Sequence, residues 1–244
     1  MVYVIDRACP VRQWPWPEVA TGFMRQMTSR RPQRSGSSRP WTLSLVLIAL
    51  AIAIPEPSVA RDRQPVRSLL EIRQENVVLQ EWDLSCGAAA LTTVLNYQFA
   101  DPVSEKEVAT ALINRKEYIE DPRLVQFRQG FSLLDIKRVA EGRGYVGIGY
   151  GKMTVDDLVE EAPVMVPIVA NGYNHFVVFR GRMGDRVLVA DPAFGNYTMR
   201  VDKFERAWID YPDFGQVGFV VSAPDGTTPA NGLAPRPEEF VMLR

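Results

Sequence analysis

The chain carries one histidine, His175, and two cysteines, Cys9 and Cys86. Cys86 stands in Gln80-Glu-Trp-Asp-Leu-Ser-Cys86-Gly-Ala-Ala-Ala-Leu91. His175 opens the apolar run His175-Phe-Val-Val-Phe179, and Asp191-Pro192 closes the next such run. A thiol, an imidazole, a carboxylate and a carboxamide are the parts of a cysteine-nucleophile hydrolase. No second histidine competes for the role of base.

Each residue also has a plainer reading. Ser85 can cap a helix running from Cys86 to about Gln98, with Ala89, Leu91, Val94 and Leu95 available for burial. That places the thiol in a first helical turn, where free N–H groups and the helix dipole favour an anion. The Cys86 N–H can meet a developing oxyanion, and Gln80, six residues earlier, can supply a second donor. Gly87 leaves room for a substrate backbone. Yet a lone cysteine is more commonly a small buried hydrophobe. His175 follows the turn Asn171-Gly-Tyr-Asn174, which suits a base at a sheet rim and equally a satisfied core histidine. Asp191 can reach the imidazole from an adjacent strand end, and Asp-Pro is also an ordinary turn opener. Trp82 and Tyr173 can line a cleft, although core packing is the commoner role for either. All the plain readings holding at once is less probable than one site built from the set.

The elements that must position these residues change period along the chain. Ser104-x-x-Glu107 is a capping box opening a helix with Val108, Ala111 and Leu112 on one face, and Ser132-x-x-Asp135 resembles another. That third helix stops at Gly142 and Gly144. Beyond it lie short Val- and Ile-rich runs at 146–150, 164–169, 175–179, 187–190 and 219–221, with short helices at 154–161 and 202–208. Helices first, then a mainly antiparallel sheet, indicate an α+β fold. Gly142-Arg-Gly144-Tyr-Val-Gly147 matches a dinucleotide fingerprint only formally, since it follows a helix and opens no βαβ unit. One histidine, two cysteines 77 residues apart and no clustered carboxylates argue against a structural zinc site.

The 244 residues have a net charge of −1, so no global field recruits nucleic acid. Residues 1–60 hold seven Lys/Arg and three Asp/Glu, which leaves 21 and 26 of the chain's 28 and 29 to residues 61–244, a net of −5. Within the basic segment, Arg30, Arg31, Arg34 and Arg39 precede the 14-residue apolar run Trp41–Ile54, and Ser58-Val-Ala60 follows. Charged, apolar and small-x-small regions in that order describe a signal peptide cleaved after Ala60. The run is short of the ~20 residues that span a bilayer, and an uncleaved anchor is the competing reading. Either one exports residues 61–244 to the periplasm or beyond. Cys9 then leaves with the signal, and Cys86 has no partner for an internal disulfide. The organisation expected is a signal-bearing extension over 1–60, a polar linker over 61–75, one domain over 76–222 and a loose Pro-rich tail over 223–244.

Gln80-x4-Ser85-Cys86-Gly87-Ala88-Ala89, followed by His175-Phe-Val-Val and Ala190-Asp191-Pro192, resembles peptidase family C39, a family of papain-like cysteine peptidases. The resemblance covers about residues 76–222. It implies Cys86 as nucleophile, His175 as general base and acid, Asp191 as the orienting residue and Gln80 as oxyanion donor. It implies a peptide or protein substrate, no cofactor, and membrane contact only through an uncleaved N-terminal segment. Exporter-linked members cut after a double glycine in a leader peptide. This chain shows no transporter segment after the peptidase, and Ser85 replaces an aspartate common before the nucleophile. Gly130-Phe-Ser-Leu-Leu-Asp-Ile136 and the layout are similar to the stand-alone C39-like peptidases of bacterial functional-amyloid export systems, which implies a secreted or amyloid client. Two other readings stand beside the peptidase: a non-catalytic C39-like peptide-binding module, and another acyl transfer on the same residues, as in a transglutaminase or amidase.

Overall fold

A computed structural model describes residues 67–243. The expected signal-bearing extension over 1–60 and the first part of the linker lie outside the described residues. In chain order come α1 (Leu69–Arg73), α2 (Cys86–Gln98), α3 (Glu105–Ile113), α4 (Lys116–Glu120), α5 (Arg123–Phe127), α6 (Leu133–Gly142), β1 (Val146–Tyr150) and α7 (Val155–Glu161). There follow β2 (Val164–Ala170), β3 (Tyr173–Met183), β4 (Arg186–Asp191), β5 (Gly195–Arg200), α8 (Val201–Ala207), β6 (Asp210–Tyr211), β7 (Gly215–Gln216), β8 (Gly218–Ser222) and α9 (Pro237–Met242). The main sheet has the order β1-β8-β2-β3-β4-β5, and each of its neighbouring pairs is antiparallel. This is the α+β architecture expected.

Alternation along the central strands sorts the core into two layers. Val166, Ile168, Val177, Phe179, Val187 and Val189 face one way, where Leu158 of α7 and Phe204 of α8 cover them. Met165, Val178 and Ala190 face the other, against Leu91 and Leu95 of α2, Val108 of α3 and Ile136 of α6. The sheet is therefore clothed on both sides. Helix α2 is its central support: 11 of its 13 residues are buried. A helix buried all round needs no polar face, and its Ala88-Ala-Ala90 run permits close approach. Its buried hydroxyls are satisfied internally, Thr92 donating to Ala88 O (2.8 Å) and Thr93 to Ala89 O (2.9 Å).

The capping boxes expected at Ser104 and Ser132 both form, and a further one at Thr154 opens α7. Ser85 departs from expectation. It occupies the N-cap position of α2, but its side chain makes no capping bond.

Two boundaries are corrected. The polar stretch before residue 76 is not all linker: Ser68 and Glu71 form a capping box for α1, and Ile72 is buried beside Leu188, Phe240 and Leu243. Residues 223–243 are not a loose tail. Leu233 is fully buried in the α2-side core, and Gln98 at the end of α2 donates to Pro229 O and Ala230 O. Buried Arg180 donates to Leu233 O, Asn196 Oδ1 and Glu239 Oε1. Prolines break periodicity, so the segment looks unstructured in sequence, yet long-range bonds fix it.

Candidate active site

The β-hairpin β3–β4 builds the first half of the site. Val178 pairs with Ala190, so the next step along β4 sets Asp191 beside Val177, on the same face as His175 and two residues from it. His175 Nε2 donates to Asp191 Oδ1 at 2.7 Å. The aspartate is fully buried, and the imidazole is 12% exposed. Asp191 is held by more than the histidine: Ala193 N donates to the same Oδ1 (2.7 Å), and Tyr197 OH donates to Oδ2 (3.2 Å). The Ala193 bond is the turn-opening bond that an Asp-Pro pair suggests, so the turn reading and the orienting reading of Asp191 hold together. Tyr197 escaped the sequence reading. Its position on β5 follows from the three-residue turn 192–194, but its reach to Asp191 is a tertiary fact. Burial first, and the Asp191 charge second, push the Tyr197 phenol well above its usual range, so it remains a donor.

The second half is the start of α2. Cys86 is its first residue and is 5% exposed. The thiol lies near enough to the His175 imidazole to help hold its proton. Burial pushes the His175 pKa down, but the hydrogen bonds and charges of Asp191 and Cys86 outweigh it and raise the value to about 9. A histidine so placed carries its proton at neutral pH and can deliver it to a leaving group. Gly87 does not open space for a substrate, contrary to expectation. A Cβ there would meet Ile136 Cδ1 at 3.1 Å and Phe176 Cδ2 at 3.4 Å, so the missing side chain lets α2 seat against α6 and β3.

Gln80 stands half-buried on the segment entering this loop. Its backbone N–H donates to Pro192 O at 2.8 Å, tying it to the turn after Asp191. Its Nε2 donates one hydrogen to Trp82 O at 3.1 Å, while Oε1 is buried without a partner. The bond to Trp82 fixes which end of the amide is the donor, and the second N–H stays available. The structure thus bonds His175 to Asp191, brings Cys86 near the imidazole, and ties Gln80 to the turn that follows Asp191. Trp82 and Tyr173 are exposed, 42% and 65%, so the core-packing role does not hold for either. Trp82, Leu84 and Ser85 of the loop before Cys86, with Ala109, Ile113 and Phe131, are among the residues lining a cavity of about 400 Å³.

Thiol, charged imidazole and carboxylate in series are the working parts of nucleophilic acyl transfer. Comparison with known proteins agrees in class. The family model described as Peptidase C39 family matches residues 74–212. The chain belongs to the peptidase C39 family. A protein of Pseudomonas aeruginosa called probable functional amyloid protease FapD is 36% identical over 143 residues, covering 59% of this chain and 61% of that protein. Its Pseudomonas fluorescens namesake is 39% identical over 144 residues with the same coverage. The chain spans about six-tenths of the length of these relatives. A solved double-glycine motif protease, crystallised with a leader peptide, is 24% identical, with a TM-score of 0.46 over 59% of this chain and 89% of that one. The family expected from the motifs is borne out, and so is the likeness to peptidases of functional-amyloid systems.

Proposed function

We propose that the chain is an exported bacterial cysteine endopeptidase that cuts a peptide or leader segment of a secreted client, an amyloid subunit being the favoured class. The observation that carries the reading is the buried series Cys86–His175–Asp191 with a histidine that holds its proton to about pH 9. In this reading the Cys86 thiolate attacks the scissile carbonyl. The oxyanion is met by the Cys86 N–H, free at the start of α2, and by the second Nε2 hydrogen of Gln80. His175 gives its proton to the departing amine, the C–N bond breaks, and an acyl-enzyme remains. Neutral His175 then takes a proton from water, which attacks the thioester and restores the thiolate. Asp191 keeps the ring turned and stabilises its positive form. The apolar cavity lined by the loop that precedes Cys86 suits hydrophobic side chains of the client, and the FapD relatives carry a name tied to functional amyloid. The basic and apolar stretch that ends at Ala60 acts as the export signal, with the mature chain beginning at Arg61.

The test uses iodoacetamide at pH 6 and an amyloid-subunit polypeptide as substrate. Cys86 alkylates rapidly in the native chain and slowly in His175→Ala, and the polypeptide is cleaved by the native chain and left whole by Cys86→Ala. Slow labelling of native Cys86, or labelling indifferent to His175, removes the catalytic pair. Binding of the polypeptide without cleavage returns the chain to a non-catalytic module.

A further inference from the structure

Glu105 opens α3 but belongs to the loop that precedes the thiol. It is only 4% exposed and takes no part in the capping box of its own helix, which Ser104 and Glu107 form. Its two carboxylate oxygens are used 20 or more residues upstream. Glu81 N donates to Oε2 at 2.8 Å, and Ser85 Oγ donates to Oε1 at 2.5 Å. Glu81 follows Gln80, and Ser85 precedes Cys86. One buried carboxylate therefore grips the loop at the residue next to each member of the inferred oxyanion site.

The loop is tied a second time from within. Trp82 O accepts from Gln80 Nε2 (3.1 Å) and Ser85 N (3.4 Å), and lies 2.7 Å from Ser85 Oγ, whose single proton goes to Glu105. Leu84, at φ 67°, sits in the left-handed region. A leucine stays there only where its surroundings over-determine it. The hydroxyl that could have capped α2 is spent on this brace, which explains why Ser85 makes no capping bond. A buried carboxylate is costly unless its oxygens are bonded, and here both are bonded to one short segment.

We propose that Glu105 is a positioning residue that sets the separation of Gln80 from Cys86 and so the geometry of the oxyanion site. The inference rests on the reading of Cys86 as nucleophile and Gln80 as oxyanion donor. It assigns Glu105 no contact with substrate and no role in the Cys86–His175 pair.

The test compares two reactions of Cys86 in the full chain. In acylation by p-nitrophenyl acetate, sulfur bonds to the carbonyl carbon, an oxyanion forms, and the C–O bond breaks to release p-nitrophenolate. In alkylation by iodoacetamide, sulfur displaces iodide and no oxyanion forms. Glu105→Ala should slow acylation by ~10- to 10²-fold, as a misplaced donor does, while alkylation stays within about twofold because it does not use the donor. Glu105→Gln keeps an acceptor for Glu81 N and offers a donor to Ser85 Oγ, whose own proton then goes to Trp82 O, so acylation should return to near the native rate. In a Gln80→Ala background, Glu105→Ala should add little, because the two act through one feature. Unchanged acylation in Glu105→Ala overturns the proposal. So does an equal fall in both reactions, which would mark a general loss of fold. A nitrophenolate burst that survives Cys86→Ala, or acylation unaffected by Gln80→Ala, removes the underlying reading and the proposal with it.

Discussion

A histidine enclosed by a carboxylate and a thiol binds its proton more tightly than one in water. For His175 the partners overcome burial and raise the pKa from 6.5 to about 9. Two consequences share that number. In the proposed mechanism the imidazolium is the acid that releases the amine, so kcat/KM for peptide hydrolysis should hold through neutral pH and fall as pH passes about 9. A fall near 6.5, the value of a free histidine, would mean that the pair does not form. In stability the sign is set by the same shift. The folded state binds the proton more tightly than the unfolded chain, so the stabilisation is fully present below pH 6.5 and is lost as pH rises through about 9. The thermal midpoint of the native chain should therefore decline across that window, and the decline should be smaller in His175→Gln. Tyr197 matters here because it serves Asp191 Oδ2, the oxygen that neither His175 nor Ala193 reaches.

At the level of elements, the hairpin turn between β4 and β5 does most to place Asp191. It pairs Asp191 with Gly195 around residues 192–194, and Gly195 has φ +80°. A Cβ at Gly195 would stand 2.5 Å from Arg73 O, a backbone atom that cannot swing away. Gly195→Ala should therefore destabilise by more than about 1 kcal/mol and slow acylation of Cys86 in the fraction that folds. Native-like urea unfolding in this variant would show that the turn has slack. The contrast with what the sequence discloses is physical. The starts of α3 and α6 are legible because a capping box lies within four residues of chain. Helix α2, β2 and the His175 end of β3 are legible because continuous apolar runs are a local signal. Strand β5 is not, because Asn196 and Thr198 are polar residues on a buried strand, and their partners Arg73, Glu75 and Leu243 are far away in sequence. The same separation hid Glu105. Residue types put forward Cys86, His175, Asp191 and Gln80 as candidates, but nothing within the local chain says that a helix-opening glutamate 19 residues after Cys86 turns back to grip the loop.

At the scale of the whole molecule, the segment 223–243 binds both halves of the site from behind. The C39 match ends at residue 212, before it begins. Gln98 ties it to the far end of α2, the helix that Cys86 opens, and Arg180 ties it to the strand that carries His175. Thr198 N and Oγ1 both donate to Leu243 O, closing it over β5. Its centre is the ion pair of Arg180 Nη1 and Glu239 Oε1 at 3.0 Å, with side chains 3% and 0% exposed. Removing one member of such a pair leaves a charge buried and costs about 3–5 kcal/mol, whereas replacing both with apolar groups of similar volume costs far less. Glu239→Leu should accordingly lower the urea midpoint sharply, and adding Arg180→Met should restore much of the loss. The lost bonds to Asn196 and Leu233 keep that recovery incomplete. The alkaline limb of activity should stay at about pH 9 in both variants, since Arg180 touches none of the groups that set it. Two substitutions whose losses simply add would deny the pair its role as a clasp. A limb that moves with Glu239→Leu would show that the segment governs the imidazole as well as the fold.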